Sequence, residues 1–337
     1  MTAPTKIKKK TSLTGIKPTG TPHLGNYLGA IKPALDLVKD YKPFYFIADY
    51  HGLTTIRDPE EMKRYTYEVA SAWLAMGLDP DEVVFYRQSD IPEIFEFTWV
   101  LSCFTGKGWL NRAHAYKAIV DSNEAEGRDV DDGVNAGLYN YPVLMAADII
   151  MFNTQVVPVG QDQRQHLEIA RDIASSFNHS YGETLVVPEA VIQETVATVP
   201  GLDGRKMSKS YDNAIPLFLS SKKLRKRVMR IVTDSKTPDE PKNPDENNVF
   251  NIYRHFATPE MIAENRKKYT EGGYGYGDLK QELFELLDAT LSEPRERYNQ
   301  YINDRAELDR ILKVGAEQAR EIAATTLSKV RAKIGLD

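Results

Sequence analysis

Cysteine is nearly absent from this chain, and so are long apolar runs. Cys103 is the single cysteine among 337 residues, which excludes an internal disulfide and a zinc or iron–sulfur site built from cysteines. No apolar run approaches the ~18 residues of a membrane span. The basic residues 6–10 lead into no apolar segment of the kind that a secretory signal has. These absences predict a cytoplasmic protein without a membrane partner.

An excess of positive charge is also missing. The chain has 43 Lys and Arg against 48 Asp and Glu, a net charge of −5, so any nucleic acid must bind to a local basic surface. Residues 222–230 form one such basic run. A charged run on an amphipathic helix is more often a solvated face than an RNA contact, and both interpretations stay open here.

Strands and helices are predicted to alternate over the first 215 residues. Mostly apolar runs predict strands at 43–48, 82–86 and 156–159, and the short piece 12–14 is also strand-like. Helical segments separate them, such as 59–76, which has Pro59 in its first turn. This alternation is typical of an α/β protein with a doubly wound parallel sheet, a Rossmann-like nucleotide-binding fold.

Several polar or glycine positions directly follow the predicted strands. Ligands of doubly wound sheets bind beyond the carboxyl ends of the strands. We therefore expect four positions to face one crevice, namely the turn at His23, Asp49, the pair 88–89, and Gly160.

The pattern becomes helical from about residue 217, which predicts a second domain. We place a Rossmann-like catalytic domain at residues 11–215, with an insertion at about 90–175, and a C-terminal α-helical domain at 216–337. Within the insertion, the acidic stretch 121–137 is predicted to be a surface loop.

The three tryptophans, Trp73, Trp99 and Trp109, are predicted to lie in the core or at an interface. Phe95 and Trp99 are four residues apart on a predicted helix. That spacing is typical of a packed pair in the core.

A glycine-rich turn, residues 15–26, leads from the first predicted strand into a helix. Helix N-termini present free N–H groups and the positive end of the helix dipole, and glycine lets the backbone approach a ligand closely. His23 and Asn26 add side-chain donors at the same point. Asn26 also suits a helix cap. The pattern is neither the dinucleotide G-x-G-x-x-G motif nor a Walker loop.

A second motif, Lys206-Met207-Ser208-Lys209-Ser210, follows a stretch that contains Gly201 and Gly204. Two lysines and two serines on a mobile loop suit the binding of nucleotide phosphates. Short Lys/Ser runs are also common in solvated loops, so the motif gains weight from the N-terminal turn.

The two motifs together resemble the class I aminoacyl-tRNA synthetases. His-x-Gly-Asn at 23–26 is similar to their His-x-Gly-His signature, and residues 206–210 are identical to their second signature, in the same order and about 180 residues apart. Segments 25–30, 49–51, 141–149 and 157–163 resemble the tryptophanyl enzymes of the tryptophan and tyrosine branch. The resemblance runs from about residue 13 to near the C-terminus, with specific motifs in the first 215 residues.

The resemblance implies ATP-dependent attachment of L-tryptophan to tRNA(Trp) through a tryptophanyl-adenylate. It implies Mg²⁺ bound mainly by ATP and not by a dedicated protein site, a homodimer held by residues of about 90–140, and a C-terminal domain that binds the tRNA anticodon. The implied catalytic residues are His23, Asn26, Lys206, Ser208 and Lys209. Residues implied to bind ATP are Lys17, Pro18, Thr19, Gly25, Asn26, Gly160, Gln161, Asp162, Val199, Lys206, Met207, Ser208, Lys209 and Ser210.

Asp148 is the residue that favours tryptophan. It lies in an apolar helical segment, where a carboxylate is costly unless it is paired, and an indole offers a single N–H donor. Tyrosyl enzymes tend to have Gln where this chain has Met145, whose thioether suits packing on an aromatic ring. Residues implied to bind tryptophan are Asp148, Met145, Tyr141, Gln163, His51, Val157 and Val159. An ion pair of Asp148 with Arg171 or a similar residue is the structural alternative.

The chain departs from the family pattern at two positions. Lys17 stands where the family often has Gln, and Gln161 where it often has Glu. Lys17 either contacts a phosphate or ribose or points outward. Three alternative functions remain: a tyrosyl-tRNA synthetase, a small-molecule adenylyltransferase, and an idle synthetase-like binding protein. The intact second motif argues against the last.

Overall fold

A parallel five-stranded sheet forms the centre of the N-terminal region. The computed structural model describes residues 9–159, 164–192 and 199–337. Within them the strands are β1 (Thr11–Ile16), β2 (Lys42–Ile47), β3 (Val84–Arg87), β4 (Val156–Val159) and β5 (Glu189–Ile192). They lie in the order β3-β2-β1-β4-β5, with every pairing parallel. The predicted doubly wound α/β fold and four of its strands are confirmed.

The central strand β2 forms where the sequence is apolar on both faces. In β2 every residue after Lys42 is buried, as expected for a parallel strand covered by helices on both sides. β1 pairs with β2 in a register that places Leu13 beside Phe44 and Ile16 beside Ile47. Both strands therefore end at the same edge of the sheet, where the glycine-rich turn begins.

The helices of the N-terminal region cover the sheet and its carboxyl edge. The first three segments run nearly continuously, as α1 (Leu24–Asn26), a π-helix (Tyr27–Ile31) and α2 (Lys32–Leu37). They are followed by α3 (Asp49–Gly52), α4 (Pro59–Ala75), α5 (Glu93–Ser102), α6 (Lys107–Asn111), α7 (His114–Ala125), α8 (Ala136–Met151) and α9 (Arg164–Tyr181). α4 begins at Pro59, where the missing N–H costs nothing, and Asp58 caps it.

The C-terminal part is helical, and its last helix packs on the sheet. It comprises α10 (Ser221–Met229), α11 (Asn248–Tyr253), α12 (Pro259–Glu271), α13 (Tyr276–Asn303) and α14 (Arg305–Ile334). α14 crosses the edge strand β3 so closely that a Cβ at Gly315 would overlap the backbone of Phe85. One buried cluster joins Leu24 and Tyr45 to Leu224 and Leu312. The division at residue 215 stays a prediction.

Two expectations from the sequence were wrong. Helix α7 extends to Ala125, so the predicted loop 121–137 is reduced to the residues between α7 and α8. The buried Asn123 donates to the carbonyls of Val130 and Asp132 and thereby holds that loop. Phe95 and Trp99 are not a core pair, because they are 46% and 72% exposed. α5 buries its opposite face instead.

Trp73 lies in the core, as predicted, and Trp109 packs against buried residues. Across the parts of the chain that the structure describes, no helix combines the length and apolar character that crossing a membrane requires.

Candidate active site

His23 and Asn26 cap the helix that follows β1. The backbone N–H of Asn26 donates to His23 Nδ1 at 3.3 Å, and the backbone N–H of His23 donates to Asn26 Oδ1 at 3.1 Å. Burial, and then the neighbouring Lys209 ammonium, lower the pKa of His23 to about 4. The imidazole is therefore neutral near pH 7. Because Nδ1 accepts a hydrogen bond, Nε2 carries the proton and is a donor.

The second motif contacts this turn directly. The backbone N–H of Gly25 lies 3.4 Å from Met207 Sδ, and Lys209 Nζ donates to the carbonyl of Thr19 at 2.7 Å. Desolvation lowers the pKa of Lys209 to about 8, and nearby Glu68 opposes that shift. The two segments, 182 and 190 residues apart by these contacts, thus form one site as the sequence predicted.

A cavity of about 470 Å³ lies between these segments. His23 and Lys209 line it together with Arg64 of α4 and Arg227 of α10. Arg227 donates to the carbonyls of Asp212 and Ala214 at 2.8 Å, so this member of the basic run 222–230 is neither on a solvated face nor free for RNA. Three cationic side chains line the cavity with two carboxylates, Glu68 and Asp212. This small excess of positive charge suits the phosphates of a nucleotide.

Asn213, which the sequence did not single out, anchors the second motif. Its Nδ2 donates to Asp203 Oδ1 at 2.7 Å and to the carbonyl of Lys206 at 3.1 Å. Its Oδ1 accepts from the backbone N–H of Ser208 at 2.8 Å. The side chain is buried. The sequence signal that could have pointed to this anchor was an Asn just past a polar loop. In the structure it follows Asp212, whose backbone is in the left-handed region.

The other residues that were predicted to bind ATP differ in how far they are buried. Pro18 and Val199 are buried, and the carbonyl of Val199 accepts from the N–H of Met207. Lys206 and Ser210 are exposed, and Ser208 Oγ accepts from the N–H of Ser210. Gly160, Gln161, Asp162 and Gln163 lie outside the described residues.

A second cavity, of about 460 Å³, contains most of the residues predicted for tryptophan. Its lining includes His51, Tyr141, Met145, Asp148 and Val157. Leu13, Phe46 and Ile149 add apolar surface from β1, β2 and α8. Of the remaining predictions, the backbone of Val159 lies in β4, and its side chain is outside the described part.

Asp148 lies at the buried side of this cavity with two protein partners. Its Oδ2 is 2.9 Å from His51 Nε2, and Gln88 Nε2 donates to both carboxylate oxygens at 2.9 Å. Burial raises the pKa of Asp148, and the hydrogen bonds from His51 and Gln88 oppose that shift. The carboxylate oxygens accept several bonds each, which leaves capacity for one more donor.

Arg171 is not the partner of Asp148, because it donates to the carbonyl of Pro188. The residue at ion-pair distance from Asp148 is His51, at 2.9 Å. Gln88 is a partner of Asp148. From the sequence we expected Gln88 to face the crevice, but we assigned it no role. We also expected Asp49 to face the same crevice as His23, and this expectation is wrong. Asp49 accepts from Ser89 Oγ at 2.5 Å and lines a different cavity.

Lys17 points into the cavity, so the outward alternative is wrong. Its Nζ donates to Thr54 Oγ1 at 2.8 Å, and burial lowers its pKa. Tyr141 lines the cavity too, with its hydroxyl 2.5 Å from His166 Nε2.

Both cavities lie at the carboxyl edge of the sheet, where the strand order reverses between β1 and β4. Lys17 lines one cavity and Thr19 the other. A parallel doubly wound sheet with a mostly apolar pocket and a cationic pocket at its switch point defines a nucleotide-binding protein that places a second ligand beside the nucleotide.

The particular family follows from comparison with known proteins. Residues 6–292 match the family model described as tRNA synthetases class I (W and Y). The chain belongs to that family.

Its relatives include tryptophan–tRNA ligases. The chain is 56% identical to that of Pseudomonas putida over 96% of its own length and 73% of the relative's. It is 51% identical to that of Neisseria meningitidis over 98% and 99%. Among solved structures, the tryptophanyl-tRNA synthetase of Campylobacter jejuni in complex with ADP and tryptophan matches with a TM-score of 0.87 and 45% identity, over 97% of this chain and 100% of that one.

Proposed function

We propose that this chain is a tryptophan–tRNA ligase, which activates L-tryptophan with ATP and transfers it to tRNA(Trp). The observation that carries the proposal is the buried Asp148 carboxylate in a mostly apolar cavity, next to a cationic cavity built from the two signature motifs. One cavity suits an indole ring with a single donor, and the other suits the phosphates of ATP.

In the first step a carboxylate oxygen of tryptophan attacks the α-phosphorus of ATP. The new O–P bond forms while the bond to the β-phosphate breaks, and the electron pair leaves with pyrophosphate. This reaction needs alignment of two anions and stabilisation of charge on the phosphates. His23 Nε2–H and the N–H groups at the start of α1 suit the phosphates, and Lys206 and Lys209 suit the departing pyrophosphate.

Lys209 Nζ donates to the carbonyl of Thr19, and two of its three donors remain for a phosphate. We propose that the second motif closes when ATP binds. Ser208 and Ser210 contribute hydroxyl and backbone donors on the same loop. Mg²⁺ enters as a complex with ATP, whose oxygens supply most of its ligands.

At the other end, Asp148 accepts the indole N–H, while Met145 and Val157 pack against the ring. Tyr141 and Gln163 are the proposed ligands of the ammonium group, and His51 orients Asp148. A tyrosyl enzyme needs a donor as well as an acceptor for its phenol. Gln88 Nε2 is already used on Asp148, which favours the indole.

The remaining assignments extend the proposal to the whole chain. Residues 216–337 would bind the tRNA anticodon, residues of about 90–140 would join two copies into a homodimer, and the enzyme would act in the cytoplasm. These follow from family membership and not from a bound partner.

The test is tryptophan-dependent exchange of pyrophosphate into ATP without tRNA. Each amino acid is supplied in turn, and tryptophan alone should drive exchange at low concentration. Exchange driven by tyrosine and not by tryptophan would reject the proposal. Transfer is then measured as tryptophan attached to tRNA(Trp), with tRNA(Tyr) as the control.

A further inference from the structure

Lys17 is a cation without an anion in the part of the chain that the structure describes. Its Nζ makes no ion pair with a described carboxylate, and its single hydrogen bond there goes to Thr54 Oγ1. Thr54 Oγ1 in turn donates to the carbonyl of His51 at 2.8 Å. An ammonium has three donors, so two remain for a ligand among these neighbours.

The surroundings of Lys17 make this situation costly. The side chain is half-buried in a cavity with Leu13, Phe46 and Ile149, and burial without a counter-charge lowers its pKa. A buried charge is normally paired. Among the described residues that line this cavity, the one carboxylate is Asp148, which is already bonded to His51 and Gln88. An anionic group brought by the substrate is the missing partner.

The position of Lys17 says which group that is. Lys17 is the residue after β1, and Thr19, two residues on, accepts from Lys209 of the phosphate site. Two residues span at most about 7 Å, so Lys17 stands between the Asp148 end and the phosphate end. A tryptophan with its indole on Asp148 extends its carboxylate toward that junction.

We propose that Lys17 binds the carboxylate of the amino-acid substrate and holds it for attack on the α-phosphorus. This inference rests on the proposed function. The family resemblance implied that Lys17 binds ATP, and we assign it to the substrate carboxylate instead. The ammonium offsets the repulsion between the carboxylate and the phosphate as they approach.

The experiment compares L-tryptophan with L-tryptophanol, in which a hydroxymethyl group replaces the carboxylate. Dissociation constants are measured by calorimetry for the wild type, Lys17→Met and Lys17→Gln. Lys39→Met, at an exposed position, is the matched control. Lys17→Met should weaken tryptophan binding by about 10- to 100-fold, the loss expected for a hydrogen bond to a charged group.

Tryptophanol should bind Lys17→Met and the wild type equally, which also shows that the variant folds. The affinity of Lys17→Gln for tryptophan should fall between those of Lys17→Met and the wild type. The affinity of Lys39→Met should match that of the wild type. Equal losses for both ligands would make Lys17 structural, and a loss confined to ATP would make it a phosphate ligand. Either result overturns the assignment of Lys17 but leaves the proposed function standing. If the wild type binds neither indole compound, the proposed function itself fails, and the assignment falls with it.

Discussion

The Asp148 carboxylate has two protein donors and, in our proposal, accepts a third from the indole. Asp148→Ala should weaken tryptophan binding by about 1.5–3 kcal/mol, the range for hydrogen bonds to charged groups. ATP affinity should stay nearly unchanged, because the phosphate cavity is formed by other segments. Calorimetry with each ligand measures both effects.

A matched ligand isolates the indole N–H from general damage to the pocket. L-3-benzothienylalanine keeps the shape of tryptophan but has sulfur in place of the N–H group. The wild type should prefer tryptophan, and Asp148→Ala should lose that preference. If the preference persists in the variant, Asp148 does not accept the indole N–H.

His23 provides a prediction in pH. Its folded pKa is about 4, below the ordinary 6.5, so the unfolded chain binds more protons between these values. Stability therefore rises with pH across this window and is lost as pH falls from 6.5 toward 4. His23→Asn keeps a capping acceptor and removes the titration. The melting temperature of the wild type should fall relative to that of His23→Asn on acidification.

The cause of the shift can be separated with Lys209→Met. Because burial is the larger cause and the Lys209 charge the smaller, the pKa of His23 in this variant should rise but stay below 6.5. NMR titration of the His23 ring measures it. A pKa that returns fully to 6.5 would contradict burial as the main cause.

At the level of elements, the Asn213 side chain anchors the second signature through three hydrogen bonds, and this anchoring is a testable property. Asn213→Ala removes three hydrogen bonds and leaves the backbone N–H of Ser208 without its acceptor. We expect the loop to lose about 1–3 kcal/mol of local stability. Adenylate formation should slow about tenfold or more in single-turnover kinetics, while tryptophan binding is retained.

Limited proteolysis reports the loop directly. Cleavage at Arg205 or Lys206 should be faster in Asn213→Ala than in the wild type. Gly201→Ala should also make cleavage at these sites faster, because its Cβ would overlap the Asn213 side chain. Asn248→Ala, which changes a neighbour outside the Asn213 network, is the control. Unchanged cleavage in both test variants would show that Asn213 does not anchor the loop.

How far the sequence predicts this molecule depends on how local each signal is. Strands β2, β3 and β4 were predictable because buried parallel strands are mostly continuous apolar runs. The pairing of His23 with Asn26 was predictable because the two residues are neighbours across one helix start. The partners of Asp148 were not, since Gln88 and His51 lie 60 and 97 residues away. The spacing of Phe95 and Trp99 predicted a shared face correctly but not that the face is exposed.

For the whole molecule, the exposed face of α5 is the feature that the fold of one copy leaves unexplained. Glu93 and Glu96 fix α5 to α14 through ion pairs with Arg320 and Arg331. Trp99 meanwhile is 72% exposed. This position falls in the region of about 90–140 that we propose joins two copies.

Replacing Trp99 tests that arrangement. Buried aromatic anchors are often worth about 2 kcal/mol or more at an interface, and a two-fold axis uses each residue twice. Trp99→Glu should therefore weaken the dimer by about 10³-fold or more. Light scattering at micromolar concentration should give twice the chain mass of 38.1 kDa for the wild type and the single mass for the variant. Val232→Glu, at an exposed apolar residue elsewhere, should stay dimeric. A fully active wild-type monomer would reject the homodimer, and a dimeric Trp99→Glu would move the interface away from α5.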